Sequence, residues 1–426
     1  MVRMAFSRLN NFMQCRILFL VLAPAFLTAT ENSNTIDPAE KKIAEIQTAL
    51  KGSPSSPEPH IDLAAEYCRK ARDSEDIGYY SKADVEVEMA LKLSPANYDA
   101  QKLQVTILLG KDEFSAALKL ATALNKRIPD DIAVWGLLSE INSALGNYTE
   151  ALRDAQWVLD LRPGSTLGFT EAARLREAYG DPEGAIEFYE ESRRRTSLND
   201  AEERAWLLSQ VARLTAQSGD RKRADALFEE ALRLNPESQI AIEGLARLRE
   251  MESNYSEAVS LFEKRYKAIQ NARSLYDLAE ALELAGRKDE AATTFENFES
   301  RAKAETDRPY NANLDLIHFY LNHNSQPAEA LAIALRESAI RRDSQTLAAL
   351  AGALFANSRY EDAKMRMDEA LSTGLHNAVY FCQAAHIAAA LNDSQHAKSF
   401  QKEASSLDPT ACQMELSSAS ITEGKK

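Results

Sequence analysis

Three arginines in similar local strings are the residues best suited to bind a charged ligand. Arg174, Arg213 and Arg247 end the strings AAR, VAR and LAR. A guanidinium places two parallel N–H groups on the two oxygens of a carboxylate. If the three side chains lie on one surface, that surface is predicted to bind a carboxylate-rich segment.

The competing interpretation is that these arginines pair with glutamates of their own helices. Residues three or four apart on a helix face each other, and such exposed pairs contribute only about 0.3–0.5 kcal/mol each. Glutamates at that spacing from Arg174 or Arg247 are Glu171, Glu177, Glu243 and Glu250. The sequence leaves both interpretations open.

No stretch of the chain predicts catalysis, a cofactor or a metal. The glycine-rich dinucleotide and phosphate-binding patterns, HExxH, paired CxxC motifs and the GxSxG nucleophile elbow are all missing from the sequence. His376, His386 and His396 are ten residues apart, which places them on different faces or different helices and predicts no metal site. We therefore expect a non-catalytic protein without cofactor or metal.

An alanine recurs about every 34 residues, which predicts a series of similar helix pairs that would position these side chains. The size of the residue matters there because a bulky side chain would hold two packed helices apart. Proline recurs near the end of several second helices, and Gly146, Gly180, Gly219 and Gly286 stand where a first helix must turn into a second. The recurring alanines are Ala83, Ala117, Ala151, Ala185, Ala224, Ala258, Ala291, Ala330, Ala363 and Ala397.

The unit at residues 132–165 carries the pattern most completely. Trp135, Leu138, Gly146, Ala151 and Pro163 follow one another there at the spacing of a helix–turn–helix pair. It resembles one tetratricopeptide repeat, and the chain is similar to an array of about ten such repeats. The resemblance implies an all-α fold, a right-handed superhelical solenoid in which the first helix of each pair lines a concave groove. It also implies protein or peptide ligands in that groove, where Arg174, Arg213 and Arg247 would then lie.

The groove of the last three repeats is predicted to be apolar. Such a surface is typical of a docking site for a hydrophobic peptide or helix. The alternative is that the superhelix closes over this part and buries it. The residues at groove-facing positions are Phe319, Ala348, Gly352, Phe355, Val379, Cys382 and Ala389.

Extra residues divide the predicted solenoid, residues 57–411, into blocks at 57–199, 205–305 and 311–411. They fall near 193–204 and 300–310, and a further insertion lies in the first repeat around 71–80. Each is interpreted either as a hinge or partner-contacting loop, or as a helix that is longer by one turn. Residues 30–56 are predicted to be a linker followed by a helix that covers the array end, and residues 412–426 a disordered tail.

The first 29 residues are typical of a signal peptide. Three arginines precede an apolar run at residues 17–27, which is shorter than the roughly 20 residues that span a bilayer. We expect cleavage, with an uncleaved anchor as the alternative. Cys68, Cys382 and Cys412 then remain; the last two are interpreted as isolated small hydrophobes, although a Cys382–Cys412 pair stays open.

Charge and repeats together lead to a function class. The net charge of −14 disfavours binding to nucleic acid or to anionic membranes, and no small-molecule substrate is predicted. We expect an exported, periplasmic or secreted scaffold that binds protein partners, some of them acidic, in a bacterial envelope assembly or secretion complex. The alternatives are a luminal or periplasmic co-chaperone that holds unfolded clients, and a regulatory subunit of an envelope enzyme.

Overall fold

The computed structural model of the chain describes residues 38–52, 55–372, 374–407 and 412. The predicted signal peptide at 1–29, the linker at 30–37 and the tail beyond Cys412 lie outside these residues. Contacts divide the chain into a unit at residues 1–41 and a unit at residues 42–426.

Every regular element in the described residues is an α-helix. The bounds are α1 Pro38–Gly52, α2 Pro57–Ser74, α3 Gly78–Leu93, α4 Tyr98–Gly110, α5 Phe114–Arg127, α6 Ile132–Ala144, α7 Tyr148–Leu161, α8 Thr166–Ala178, α9 Pro182–Arg195, α10 Ala201–Gln217, α11 Arg221–Leu234, α12 Gln239–Met251, α13 Tyr255–Ala268, α14 Ala272–Leu284, α15 Lys288–Glu305, α16 Asn313–Asn322, α17 Pro327–Ile340, α18 Ser344–Ala356, α19 Tyr360–Ser372, α20 Ala378–Ala390 and α21 Ser394–Leu407.

From α2 onward the helices pair consecutively, α2 with α3 and so on to α20 with α21, and each pair packs on the next. The recurring alanines explain this arrangement, because all of them except Ala397 are buried where the two helices of a pair meet. The predicted fold class, an all-α solenoid of helix–turn–helix repeats, is confirmed.

The turns between paired helices use the left-handed backbone region. Gly146 has φ +80° and Gly180 has φ +72°, as the position of these glycines predicts. Other pairs place Asp112, Ser253 or Ser358 in the same region, at φ 60°, 60° and 59°. A left-handed residue therefore ends the first helix of many pairs whether or not the sequence supplies glycine.

The inserted residues near 193–204 and 300–310 lengthen helices. The first helices of the middle pairs commonly have 13 residues, whereas α10 has 17. The helix α15 has 18 residues against 14 in α13. Of the two interpretations of these insertions, the structure thus shows the longer helix, with short loops beside it. In the first repeat, α2 also has 18 residues.

The helix α1 covers the first pair. Ile43 is 5% exposed and packs with Leu63, Ala64 and Tyr67 of α2, while Ile46 and Leu50 pack against the same cluster. These three α1 side chains recur at the helical period, which is why the sequence already indicated an amphipathic helix at this end.

Candidate functional site

The three arginines lie on the first helices of successive pairs, and each is paired with carboxylates. We call them the arginine row. Arg174 Nη1 lies 3.1 Å from Glu140 of α6 and 3.2 Å from Glu171 of its own helix. Arg213 donates both terminal nitrogens to Glu177 of α8, each at 2.7 Å.

Arg247, the third member of the row, contacts three carboxylates. The distances are 2.5 Å to Asp277, 3.1 Å to Glu250 and 3.5 Å to Glu280. Local pairing therefore occurs, as in Glu171–Arg174 and Arg247–Glu250, but Glu140, Glu177, Asp277 and Glu280 come from neighbouring pairs. The row links adjacent repeats and leaves no arginine of the row without a carboxylate partner.

Burial of the carboxylates shapes the electrostatics of the row. Loss of solvation raises the pKa of Glu171 to about 7, against the opposing effect of Arg174. The same cause raises the pKa of Asp277 to about 7, with Arg247 opposing it. The row is consequently a set of mutually compensated charges whose net charge changes near neutral pH.

Later repeats approach the row from the opposite side. A cavity of about 560 Å³ is lined by Arg174 and Arg213 and, across from them, by Arg341, Asp343 and Tyr380. The backbone N–H of His376 donates to the carbonyl of Ala178 at 3.2 Å, and that of Ser344 donates to the Tyr148 hydroxyl at 3.3 Å. The concave face of the middle repeats is thus partly covered by the chain itself.

A second concave surface lies on α16, α18 and α20, and we call it the C-terminal groove. Its volume is about 620 Å³. Among the residues that the structure describes, its lining includes no Asp, Glu, Lys or Arg side chain. The lining residues are His318, Leu321, Asn322, Gln345, Ala348, Ala349, Gly352, Phe355, Ala356, Asn377, Val379, Tyr380, Gln383 and His386.

Small residues and amides give this groove its chemistry. Gln383 crosses it and donates from Nε2 to the carbonyl of Ala348 at 3.2 Å. A Cβ on Gly352 would lie 2.5 Å from that same nitrogen, so glycine is what leaves room for the amide. Val379 remains 48% exposed at the rim. The groove offers apolar contact together with amide groups that can hydrogen-bond a peptide backbone.

The predicted groove residues do not all lie there. Ala348, Gly352, Phe355 and Val379 line the groove. Phe319 is only 5% exposed because its ring packs on Phe295 and Phe298, with centroids 5.3 and 5.6 Å away. Sequence reasoning missed the amides Asn322 and Gln383, which lie one helical turn from the apolar positions on the same face.

Cys382, also predicted to face the groove, does not line it. It is fully buried and forms a disulfide with Cys412, with the two Cα atoms 5.4 Å apart. The interpretation of these cysteines as two isolated hydrophobes is therefore not what the structure shows. Their separation in sequence gave no signal, since the chain between them had to fold back through α21 to bring them together. Cys68 is buried and unpaired in the described part of the chain.

The described residues hold no helix both long and apolar enough to cross a bilayer. Within the same part of the chain, no group of three or more His, Cys, Asp or Glu side chains is arranged to hold a metal ion.

Comparison with known proteins identifies the repeats. Models of the tetratricopeptide repeat match residues 212–271 and residues 378–410. No protein of curated function matches the sequence.

Among solved structures, the Cut9–Hcn1 hetero-tetramer of the APC/C has 12% identity over 86% of this chain, with a TM-score of 0.48; this chain spans 58% of that one. Human IFIT1 with PPP-AAAA has 13% identity over 88% of this chain and 95% of its own, at 0.48. Yeast Tom70 has 14% identity over 91% and 92%, at 0.44. At these values we draw no conclusion about ligands from them.

Repeats of this type bind protein partners and are generally non-catalytic scaffolds. The chain contains tetratricopeptide repeats, matched at residues 212–271 and 378–410.

Proposed function

We propose that the protein is an interaction scaffold that binds an uncharged, apolar segment of a partner protein in the C-terminal groove. The observation that carries this proposal is that, among the described residues, no Asp, Glu, Lys or Arg side chain lines the groove, on a chain with net charge −14 and 27% charged residues. A charged partner residue placed there would lose its hydration without gaining a counter-ion, which is costly. An apolar segment would lose only unfavourable contact with water.

We further propose that the scaffold works outside the cytoplasm, in a bacterial envelope assembly or secretion complex. The basic start and the apolar run at residues 17–27 support export, and the Cys382–Cys412 disulfide supports an oxidising compartment. Cell fractionation tests this proposal. Recovery of the whole protein from the cytosol, with residues 1–29 intact and both cysteines reduced, would overturn it.

The groove is tested by adding one charge at its rim. Val379→Glu changes a half-exposed side chain, so the fold should be kept, and it places a carboxylate where a partner would exclude water. Leu198→Glu is the matched control, because Leu198 is 81% exposed and lies outside the groove. We expect chemical crosslinking in the native compartment, read by mass spectrometry, to join one stoichiometric partner to the wild type and to the control but not to Val379→Glu.

The salt dependence of this binding gives a second measurement. Because no Asp, Glu, Lys or Arg side chain lines the groove in the described part of the chain, affinity should change little when salt is raised, whereas binding through ion pairs would weaken strongly. Equal partner capture by Val379→Glu and wild type would refute the groove. Preferential capture of denatured model proteins would favour a co-chaperone over a scaffold with a fixed partner.

A further inference from the structure

A buried arginine joins the beginning of the solenoid to its middle. Arg265 of α13 is 0% exposed and contacts three carboxylates, Glu75, Glu243 at 3.1 Å and Asp277 at 3.2 Å. Glu243 and Asp277 belong to adjacent helices. Glu75 follows the end of α2 and is 190 residues away in sequence. The segment that supplies it lies within the extra residues of the first repeat.

The backbone conformation of Glu75 and the burial of its carboxyl group both disfavour this contact. Its φ is 53°, in the left-handed region that a Cβ disfavours. Burial raises the pKa of its carboxyl, with Arg265 opposing that effect. On the other side of the contact, Arg265 Nε is buried and has no hydrogen-bond partner in the described residues. The arginine is therefore only partly satisfied by the carboxylate that reaches it.

A cleft of about 670 Å³ adjoins this contact, and we call it the Glu75 cleft. Glu75, Asp76, Lys267, Arg301, Arg308 and Tyr310 are among its lining residues. Within the described chain no ion pair links Lys267, Arg301 or Arg308 to a carboxylate, whereas Lys111, also in the lining, pairs with Asp84 at 2.5 Å. The cleft thus offers three cations with unused ion-pairing capacity.

Carboxylates line the Glu75 cleft as well, and half of them come from one short segment. Glu75 and Asp76 are adjacent, and Glu113 and Glu305 complete the acidic lining. If the segment with Glu75 and Asp76 leaves, the three unpaired cations of the cleft face only Glu113 and Glu305 among the described lining residues, while Arg265 keeps Glu243 and Asp277. The lining then carries more cations than carboxylates and is complementary to a segment with neighbouring carboxylates.

We propose that the Glu75 cleft is a docking site for an acidic segment of a partner protein, occupied in the free protein by Glu75 and Asp76 as an internal substitute. A partner segment with two or more consecutive acidic residues places one carboxylate on Arg265 in place of Glu75 and another on the unpaired Arg301 or Arg308. The apolar cluster that contains α2 and α3 does not include residues of α13. Displacing the segment therefore breaks polar contacts and leaves the apolar packing of both repeats in place.

The test removes the internal carboxylates while keeping their shape. In Glu75→Gln/Asp76→Asn, the Asn oxygen can still accept the Gly78 N–H that now binds Asp76 Oδ1 at 2.8 Å. The probe is a fluorescent hexa-glutamate peptide read by anisotropy, with hexa-glutamine as the uncharged comparison. A site that is free for only about a tenth of the time has an apparent Kd about tenfold above its intrinsic value, so we expect about tenfold tighter binding of hexa-glutamate once the internal carboxylates are removed.

Two further variants separate this outcome from a general charge effect. Glu88→Gln/Asp289→Asn removes two exposed carboxylates outside the cleft and should bind like the wild type. Adding Arg301→Gln/Arg308→Gln to the first variant should abolish the gain. The proposal is overturned if the first variant binds hexa-glutamate no more tightly than the control, or binds hexa-glutamine equally well. Val379→Glu should leave this binding unchanged, so the result is independent of the C-terminal groove.

Discussion

The disulfide between Cys382 and Cys412 yields the most quantitative prediction. Cys382 lies in α20 and is fully buried, whereas Cys412 lies beyond α21 and is half-buried. Cys412→Ser therefore breaks the bond with little change in packing. It leaves Cys382 in place as a small buried hydrophobe.

The magnitude follows from the length of the closed loop. The two cysteines are 30 residues apart, and in the chain-entropy model a loop of that length is worth about 3–4 kcal/mol at 25 °C. In a repeat array each unit depends mainly on its neighbours, so the loss should be concentrated in α20 and α21. The last pair should open at lower denaturant than the rest of the chain.

Hydrogen exchange under increasing urea, with urea unfolding followed by far-UV circular dichroism, measures this effect. Amides of α20 and α21 should lose protection in Cys412→Ser, and amides of the middle pairs should not. Wild type treated with reductant should behave like the variant, because the same bond is lost.

Alkylation of the three cysteines supplies a control and an outcome that would refute the prediction. Cys68 is buried with its pKa raised to about 12 by loss of solvation, so it should resist alkylation in the native state whether or not reductant is present. Alkylation of Cys382 and Cys412 without reductant, after unfolding of the protein purified from its native compartment, would show that they are not bonded. Unchanged protection in α20 and α21 would refute the estimate from loop entropy.

Two other predictions concern the row of compensated charges and the packing of a helix pair. The pKa of both Glu171 and Asp277 is raised to about 7 by burial, so between about pH 4 and pH 7 the folded state binds more protons than the unfolded state. The free energy of unfolding, measured by urea titrations at pH 5 and pH 8, should therefore decrease as pH rises. Asp277→Asn should reduce this dependence. A free energy of unfolding that increases from pH 5 to pH 8 would contradict the raised pKa values. Ala151 of α7 is 0% exposed where α7 packs on α6. Ala151→Leu should therefore lower the free energy of unfolding by about 1–3 kcal/mol through overpacking, which is measured as a lower melting temperature. Ala397→Leu in the last pair should lower it less, because Ala397 is partly exposed. Equal losses at the two positions would argue against the contact geometry.

Much of the fold could be predicted from the sequence because each helix pair repeats one local solution. The alanines at the helix contact, the glycines with positive φ and the amphipathic pattern of α1 are all set by neighbours within one or two turns of chain. The apolar character of the C-terminal groove was also predictable, since small and apolar residues recur on one face of α18 and α20. These features need no knowledge of distant parts of the molecule.

The partners of individual side chains were less predictable. The sequence placed Arg174, Arg213 and Arg247 on equivalent helices, yet it offered several carboxylates for each. Glu140, Glu177 and Asp277 were selected by the packing of one helix pair on the next. Tertiary packing also decided the place of Phe319, whose ring packs on Phe295 and Phe298 of α15 and does not line the groove.

The sequence by itself thus determined the repeated helix pair, the buried alanine contacts and the small and apolar residues in the groove of the last repeats. Only the tertiary structure decided that Glu75 reaches Arg265, that His376 meets Ala178 and that Cys382 meets Cys412. The physical reason is geometric. The rotation from each helix pair to the next accumulates along the solenoid, and small differences in packing at many interfaces together fix which distant residues come within hydrogen-bonding distance.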